Sequence, residues 1–577
     1  MVAERREPVL DETPARSHHE GVGLLADLPI LIVDLQSTGA SPAYGSVLEL
    51  GWGVVRASRP ELDRAEAHWI TLPAGVAPSR RVRQITGWEP TAAAGALEPR
   101  EAWSRLREAA ANASSAPTAI HYARFELPFL RAWSAEYEAD VAFPLDAVCL
   151  HDVARRLHPE LPRQSLRALS GFLGHGLDLE RRSLGHVEAT AFVWRALCAD
   201  LSARGVVTWE DLRAFLGERA PVVARPKKPR YPIAPERYRS LPDAPGVYRF
   251  LRKNGDVLYV GKAASLKKRA ATHFIGRAST DQSPEMLTQV SDIAITVVAS
   301  ALEAALLENE TIKALRPPYN VQLVTGDLRV FYASRDFRAS ASVPDETHAL
   351  GPLASEGALR PLGALVALVS GEAPTALLRA NAVGVSDLWT PDETVFSAGW
   401  DELTRRHPEL SLATGLDART RILRLARRIL AKSRVPDETE VDAAKPDGWD
   451  ADRVARHVER AAAQAFQSYR RARWLARLHD ADVVVREPES ARVRLLEVRG
   501  GELASARDVA PDETDPPGTR PFERARAPRF DRAIYDRLRI LTTELKRIAR
   551  DGGDVAIAFR AGRRVRPDLL AGVLRVV

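Results

Sequence analysis

The sequence predicts a multidomain chain of α/β and α+β class. An α/β domain comes first, a small α/β domain lies in the middle, and a C-terminal region mixes helices with a small β-hairpin or sheet. Three observations predict this. At 577 residues the chain is long enough for roughly three to four domains. Its first part passes from continuous apolar runs into helical periods, as in an α/β layer architecture. Its middle part places two short apolar runs about an Asn-Gly pair and follows them with helical patterns.

Residues 1–27 are charged and expected to be disordered. The first domain spans 28–205. Leu28 to Leu35, LPILIVDL, is a continuous apolar run, as expected of a strand buried on both faces. Val47–Val55 is a second strand. Helices are expected over Glu101–Ala111, Gln164–Phe172 and Val187–Leu201. A linker occupies 206–235; between Pro221 and Pro235 its prolines block regular structure and its Lys and Arg residues keep it solvated. The second domain covers 236–325. In the remaining 326–577, Arg419–Leu430, Arg453–Leu478 and Asp531–Arg550 read as helices. Val483–Arg486 and Arg492–Val498 read as strands, with Gly500-Gly501 as a hairpin turn. The string Pro-Asp-Glu-Thr recurs at 344–347, 391–394, 436–439 and 511–514, and residues 11–13 repeat its last three. The spacing is irregular, so this is no solenoid. The strings are expected to be solvated loop inserts.

Composition excludes some classes. Hydrophobic residues make up 45% and charged residues 27%, ordinary for a globular protein with several cores. Lys plus Arg number 82 against 76 Asp plus Glu, a net of +6. That surplus permits nucleic-acid binding without indicating it. The two cysteines, Cys149 and Cys198, are expected to be reduced core thiols, with no zinc site. The charged N-terminus lacks an apolar signal core, and no run of about 20 apolar residues occurs. The expectation is a cytoplasmic protein with no membrane contact.

The second domain carries the chemistry. In Gly246 to Lys262, GVYRFLRKNGDVLYVGK, Asn254-Gly255 signals a tight hairpin. A type I′ turn would pair Phe250 with Tyr259 and Tyr248 with Gly261, placing both tyrosines on one face. Gly261 would leave room beside Tyr248 for a backbone or a phosphate. Lys262 follows, and Arg269 lies on a basic helix, Leu266–Ala271. A later helix opens at Ser300, where Glu303 completes a capping-box pattern. One stripe of it reads Ala301, Ala305, Glu308, Ile312, Leu315, apolar except for Glu308. A carboxylate there needs a cation, either a divalent metal or a buried Arg. Arg316-Pro-Pro-Tyr-Asn320 ends the helix.

These segments, Gly246-Val-Tyr248, Tyr259-Val-Gly261-Lys262, Leu266-Lys-Lys-Arg269, Leu306-Leu-Glu308-Asn309 and Pro318-Tyr-Asn320, resemble the GIY-YIG nuclease domain of the bacterial excinuclease C proteins and their shorter homologue Cho. The resemblance implies one Mg²⁺ or Mn²⁺ held by Glu308. It implies Tyr259 as the general base for water, with Tyr248 assisting. Lys262 and Arg269 would stabilise the phosphoryl transition state, and Asn320 would help shape the site. Fixed cations and a metal are what phosphodiester hydrolysis needs. A tyrosine, with an ordinary pKa of about 10, needs nearby positive charge to act as a base. One departure is His273, at a position usually held by Tyr.

In the first domain Asp34 and Gln36 share one strand face. Val33-Asp34-Leu35-Gln36-Ser37-Thr38-Gly39, Gln84-Ile-Thr-Gly87, His121-Tyr-Ala-Arg-Phe-Glu126, Leu161-Pro-Arg-Gln-Ser-Leu166 and Arg181-Arg-Ser-Leu-Gly-His186 resemble the motifs of DEDDh 3′–5′ exonucleases, such as the epsilon subunit of DNA polymerase III. The resemblance implies a ribonuclease H-like fold with degenerate chemistry. That family uses four carboxylates, two metals and a His base. Here Asp34 is kept, Gln36 replaces Glu, Glu126 replaces Asp, His186 replaces the last Asp, and Arg181 stands at the usual His. Two anionic ligands are lost, so two dications would be poorly neutralised, and Arg181 cannot act as a base.

In the C-terminal region Gly351-Pro-Leu-Ala-Ser355 resembles the Gly-Pro-Phe segment after the nuclease domain of excinuclease C proteins. The function expected is a metal-dependent DNA endonuclease making one incision in nucleotide-excision-type repair. Its partners would be DNA and a damage-recognition complex with a helicase subunit of the B type. The first domain would be inactive and bind DNA or a partner. The alternatives are an active 3′–5′ DNA exonuclease and a non-catalytic DNA-binding scaffold.

Overall fold

The computed structural model describes residues 24–559 and 564–565, apart from 111–115, 177–181, 219–230, 276–281, 321–328, 387–388, 411–415, 433–447, 489, 511 and 513–526. The N-terminal 1–23 and most of the Pro221–Pro235 stretch therefore lie outside the described residues. The chain divides into two compact units. The first contains Met1–Val297 and Ala314–Val321, the second Val298–Lys313 and Gln322–Val577.

The first unit holds two sheets. Strands β1 (Ile30–Ser37), β2 (Val47–Val55), β3 (Leu62–Trp69), β4 (Ala116–Ile120) and β5 (Leu145–Cys149) form a five-stranded sheet of order β3-β2-β1-β4-β5. β1, β2 and β3 are antiparallel, and β4 and β5 run parallel to β1. This is the strand arrangement of a ribonuclease H-like fold. Ile30 to Val33 and Leu35 of β1 are apolar because both faces of the strand are buried there. Ile30 and Ile32 join one core with the helices Leu150–Leu157, Leu166–Leu173 and Ser183–Ser202, while Leu31, Val33 and Leu35 join another with Pro99–Ala110 and Ala123–Tyr137.

The second sheet, β7-β6-β8, is antiparallel and built from β6 (Gly246–Leu251), β7 (Val257–Ala263) and β8 (Asp292–Val297). The helices Leu266–Ile275 and Gln282–Gln289 complete it. The hairpin turn differs from type I′, which needs positive φ at two residues. Of the Asn254-Gly255 pair only Gly255, at φ +90, has positive φ. The Gly255 N–H donates to Arg252 O at 3.0 Å, and the pairing shifts between Phe250 and Leu251. The extra residue is absorbed as a bulge below Phe250, so the pairs above it, Phe250 with Tyr259 and Tyr248 with Gly261, are those predicted.

The second unit contains a three-stranded sheet, β10-β9-β11, of β9 (Phe331–Ser334), β10 (Ser340–Ala341) and β11 (His348–Leu353). Its other sheet is five-stranded, of order β14-β13-β12-β15-β16: β12 (Ala481–Arg486), β13 (Val493–Arg499), β14 (Glu502–Val509), β15 (Asp554–Phe559) and β16 (Arg564–Val565). All its pairs are antiparallel. The small sheet and the helices Arg360–Val369, Ala418–Lys432 and Ala451–Leu478 share one core. The large sheet packs with the helices Arg532–Arg550 and Ala451–Leu478. Among the described residues no helix is long and apolar enough to cross a membrane.

Two copies of Pro-Asp-Glu-Thr are described in full, and they share a device. Asp345 accepts the N–H groups of Thr347 and His348 at 2.8 and 2.6 Å, closing a turn before β11. Asp392 accepts the Val395 N–H at 2.9 Å and caps the helix Glu393–Arg406. The first copy is a solvated loop, but the second starts a helix and so is not merely a loop insert. In both, an Asp side chain takes backbone N–H groups two or three residues on. The other copies lie wholly or mostly outside the described residues.

Candidate active site

The hairpin register brings Tyr248 of β6 and Tyr259 of β7 together, with ring centroids 6.1 Å apart. Tyr248 is fully buried. Its ring lies over Gly261, where a Cβ would meet Cζ and the hydroxyl oxygen at 2.4 Å. The room that Gly261 leaves is therefore filled by Tyr248 itself, which corrects the sequence-based expectation that a phosphate or backbone would use it. From there the Tyr248 hydroxyl reaches His273 Nε2 at 2.8 Å. His273 lies on the helix Leu266–Ile275, four residues after Arg269. Burial, reinforced by the Arg269 guanidinium, pushes its imidazole down to about 4. Arg269 and Lys262 are exposed. Alternation along β7 places Lys262 on the strand face opposite Tyr259 and Gly261.

Asn320 clasps the strand between Tyr259 and Gly261. Its Oδ1 accepts the Val260 N–H and its Nδ2 donates to Val260 O, both at 2.8 Å. Tyr319 beside it donates its hydroxyl to Glu285 Oε1 at 2.9 Å and accepts from Gln289 Nε2 at 2.8 Å. Burial and the Glu285 carboxylate push the Tyr319 phenol up. Glu285 also accepts from Ser165 Oγ at 2.9 Å and pairs with Arg167 at 3.5 Å, and Gln289 accepts from the buried Arg252 at 3.1 Å. The first domain thus meets the second through these helices. Sequence reasoning missed Glu285, Gln289, Tyr319 and Arg252, whose partners are distant in sequence.

Tyr248, Tyr259, Lys262, Arg269 and Asn320 belong to the first unit, and Glu308 belongs to the second. Glu308 is half-buried on the helix Ala301–Leu315. The buried face of that helix differs from the predicted stripe. It contains Leu302, Ala305, Leu306, Asn309 and Ile312, whereas Leu315 is 47% exposed. Glu308 therefore borders the core-facing stripe, and Asn309 is the polar residue within it. The cap also differs. Ser300 Oγ accepts the Glu303 N–H at 3.1 Å and donates to Glu303 Oε1 at 3.2 Å, and the Glu303 carboxylate also pairs with Arg494 at 2.8 Å. Glu487 accepts the N–H groups of Ala301 and Leu302 at 3.1 and 2.9 Å, where the positive end of the helix favours an anion. Lys313 pairs with Asp536 at 2.7 Å and Glu310 with Arg537 at 3.0 Å.

The exonuclease-like residues form a second cluster. Asp34, 5% exposed, has both carboxylate oxygens engaged. His186 Nδ1 donates to Oδ1 and Gln36 Nε2 to Oδ2, each at 3.0 Å. Glu126 is buried, its Oε2 has no hydrogen-bond partner among the described residues, and burial, with the Asp34 charge next, pushes its carboxyl well up. Arg181 lies outside the described residues. Its neighbour Arg182 pairs with the buried Glu49 at 2.8 Å, and Glu49 accepts the Ser183 N–H at 2.8 Å, which fixes the start of the helix bearing His186. This donor set fits two dications poorly: both Asp34 oxygens already accept side-chain donors, and burial disfavours the charged form of the Glu126 carboxyl.

Cys198 is buried, and its thiol is pushed up to about 12 by that burial. Cys149, half-buried and also raised by burial, stands with His151 and Asp152, their ligand-capable atoms all within 4.8 Å of one another. The sequence reading passed over this grouping.

Residues 244–321 match the UvrC-like GIY-YIG domain. A Mycobacterium tuberculosis protein named as a putative bifunctional exonuclease/endonuclease is 34% identical over 203 residues, which cover 35% of this chain and 30% of that protein. UvrABC system protein C of Alkalilimnicola ehrlichii is 50% identical over 93 residues, covering 16% of this chain and 15% of that protein. The chain thus spans less than a third of the length of either relative. Among solved structures, the magnesium-bound GIY-YIG N-terminal endonuclease domain of UvrC from Thermotoga maritima is 32% identical, covers 15% of this chain and 92% of that one, and gives a TM-score of 0.14. E. coli Exonuclease I with a bound oligonucleotide is 16% identical, covers 39% of this chain and 48% of that one, and gives a TM-score of 0.26. The chain therefore carries a UvrC-like GIY-YIG domain at 244–321, and its site residues Tyr248 to Asn320 all fall within that match.

Proposed function

We propose that this protein is a metal-dependent DNA endonuclease that hydrolyses one phosphodiester bond, a single incision in nucleotide-excision-type repair. The observation that carries this reading is the cluster of Tyr248, Tyr259 and the Arg269-bearing helix inside the UvrC-like segment. The nuclease domain would span 236–325, behind an exonuclease-like domain at 28–205; of the 206–235 stretch expected to be a linker, the helix Trp209–Gly217 instead packs into the first domain's core through Trp209 and Leu212, and 326–577 follows. The protein would work in the cytoplasm on DNA, with a damage-recognition complex that includes a helicase subunit of the B type.

Each residue has a role in this reading. Glu308, a half-buried carboxylate, offers the hard oxygen that Mg²⁺ or Mn²⁺ prefers. The bound ion would polarise the phosphate and neutralise the leaving oxygen. Tyr259 takes the proton of the attacking water, with Tyr248 beside it. Arg269 supplies positive charge that favours the phenolate, and Arg269 with Lys262 would receive the developing phosphoryl charge. Asn320 holds Val260, and so the adjacent Tyr259, in place. The exonuclease-like domain is non-catalytic and serves to bind DNA or a partner, in keeping with an Asp34 already paired on both oxygens.

The test is cleavage of an end-labelled, lesion-bearing duplex by the full chain with Mg²⁺ or Mn²⁺. Wild type and Asp34→Ala are expected to make the same single incision, and Glu308→Ala none. Incision by Glu308→Ala would overturn the assigned site. Stepwise shortening from the 3′ end, abolished by Asp34→Ala, would establish the exonuclease reading instead.

A further inference from the structure

The second unit carries a basic surface that its own carboxylates leave unmatched. The helix Ala418–Lys432, ARTRILRLARRILAK, is rich in Arg and contains no acidic residue. Its Ile422, Leu425, Ala426 and Ile429 join the core shared with the helix Ala451–Leu478. Arg424 and Arg427 lie one turn apart on the exposed side. From Ala461 to Leu478 the second helix also lacks acidic residues, and it carries Arg470 and Arg471 there. Consecutive helical residues point about 100° apart, so these two lean to different sides. Arg470 lies near Arg427, and burial together with that charge pushes its guanidinium below the usual range. Arg471 lies near Lys546 of the helix Arg532–Arg550, and burial together with that charge pushes the Lys546 ammonium down. The seam between these last two helices is fixed by Trp474, whose Nε1 donates to Thr542 Oγ1 at 2.9 Å. Elsewhere in the unit arginines meet carboxylates: Arg547 pairs with Glu544 at 2.7 Å, Arg537 with Glu310 at 3.0 Å and Arg406 with Glu402 at 2.7 Å. Among the described residues, Arg424, Arg427, Arg470 and Lys546 form an ion pair with none.

We infer that Arg424, Arg427, Arg470 and Lys546 form a strip that holds the phosphate backbone of duplex DNA. Like charges gathered at partly buried positions cost stability until an anion offsets them. Packed helices lie 8–10 Å apart, so a strip across three of them runs roughly 16–20 Å, the rise of about five base pairs. The surroundings favour a duplex over other anions. Among the described residues no large apolar side chain of the three helices is exposed, so the surface lacks the apolar centre of a protein interface. It equally lacks exposed rings on which unpaired bases could stack. Cationic heads on phosphate oxygens fix position without reading sequence. The strip lies outside residues 244–321. The inference rests on the reading of DNA as substrate, without depending on which residue binds the metal.

The salt dependence of binding tests it, measured by fluorescence anisotropy of a labelled duplex with the full chain and no divalent metal. For duplex DNA, log K falls with log salt with a slope of about −0.9 per phosphate neutralised. The triple variant Arg427→Gln, Arg470→Met, Lys546→Met is expected to make the slope shallower by about 2 to 3, and to weaken binding on the order of a hundredfold near 0.1 M salt. A control removes the same charge from exposed arginines that already have carboxylate partners: Arg405→Gln, Arg456→Gln and Arg550→Gln. It is expected to change the slope by less than about 1. Equal losses in the two triple variants overturn the proposal, because bulk charge then accounts for binding. Single-stranded DNA held more tightly than duplex, with the excess lost in the strip variant, overturns it as well. Should the strip variant fail to fold, Arg427→Gln at its exposed position is read alone. It is expected to reduce the slope by about 1, and an unchanged slope overturns the proposal. Glu308→Ala should keep the wild-type slope while losing incision. Incision by Glu308→Ala fails the assigned incision site and leaves the slope result standing. An unchanged slope in the strip variant, with incision lost in Glu308→Ala, fails this inference alone.

Discussion

Replacing Gly261 by alanine puts a methyl carbon 2.4 Å from both Cζ and the hydroxyl oxygen of Tyr248, and 2.9 Å from Cε1. A carbon contact normally begins near 3.5 Å, so the ring must swing away. Tyr248 has little room to do so, because it is fully buried against Phe250, Tyr259 and His273. Overpacking of this kind costs ~1–3 kcal/mol. Swinging the ring also breaks the 2.8 Å bond to His273, worth ~0.5–1.5 kcal/mol. Replacing glycine in a strand returns ~0.5–1 kcal/mol by reducing the entropy of the unfolded chain. The net expectation is a loss of about 1–3 kcal/mol. Urea denaturation of Gly261→Ala against wild type measures it, and the double variant Gly261→Ala with Tyr248→Ala isolates the clash. With the ring gone, the added methyl should cost nothing or stabilise slightly. If the two substitutions prove additive, the clash between Tyr248 and position 261 is not what the glycine relieves, and the reasoning fails.

Four further outcomes are expected. Glu126 binds its proton more tightly folded than unfolded, so wild-type stability should fall as pH rises above the unfolded carboxyl value and through the raised folded one; Glu126→Gln should flatten that decline in denaturation curves taken between pH 4 and 8. Asp34→Ala should lower stability by ~1–3 kcal/mol by stranding the donors Gln36 and His186, yet leave the Mg²⁺-induced change in Tm unaltered; loss of that change would show that Asp34 binds the metal. Gly171→Val should strongly destabilise the contact between the first two domains in thermal melts, because even a Cβ at Gly171 would lie 2.1 Å from Gln289 Oε1. Glu487→Ala should free the N–H groups of Ala301 and Leu302, cost ~0.5–2 kcal/mol, and speed their hydrogen exchange.

What is legible in the sequence is what neighbouring residues decide. The β1 run is apolar because two cores share it, and the tyrosine pair follows from a hairpin whose register survives a bulge. The helix Ala301–Leu315 is legible as a helix, but its buried face is not. Helical period alone allows a stripe through Glu308 and Leu315, whereas packing chooses the one through Leu302, Leu306 and Asn309. The same limit hides Glu285, Gln289 and Arg252. Each takes partners elsewhere in the chain, Arg252 also pairing locally with Asp256 at 3.3 Å, and no local pattern marks the distant partners. The cap of the Glu308 helix is the extreme case, since the carboxylate that completes it, Glu487, lies 186 residues from Ala301.

On the proposed reading, the exonuclease-like cluster keeps its fold while its metal site is lost. A buried Asp34 next to a second ionised carboxylate would need cations to hold them. Here each charge is met without one. His186 and Gln36 place N–H donors on both oxygens of Asp34, and the Glu126 carboxyl is driven toward its neutral form by burial and by Asp34. Gln36 and His186, which stand where the exonuclease motif has carboxylates, are thus the residues that supply hydrogen bonds to Asp34. In the same domain, Ser165 and Arg167 at the start of the helix Leu166–Leu173 contact Glu285. Through Tyr319, Glu285 is joined to the residue that precedes Asn320 in the chain and follows the proline stop of the Glu308 helix. If that domain is non-catalytic, as proposed, these contacts to the GIY-YIG segment give its fold a use that does not depend on chemistry of its own.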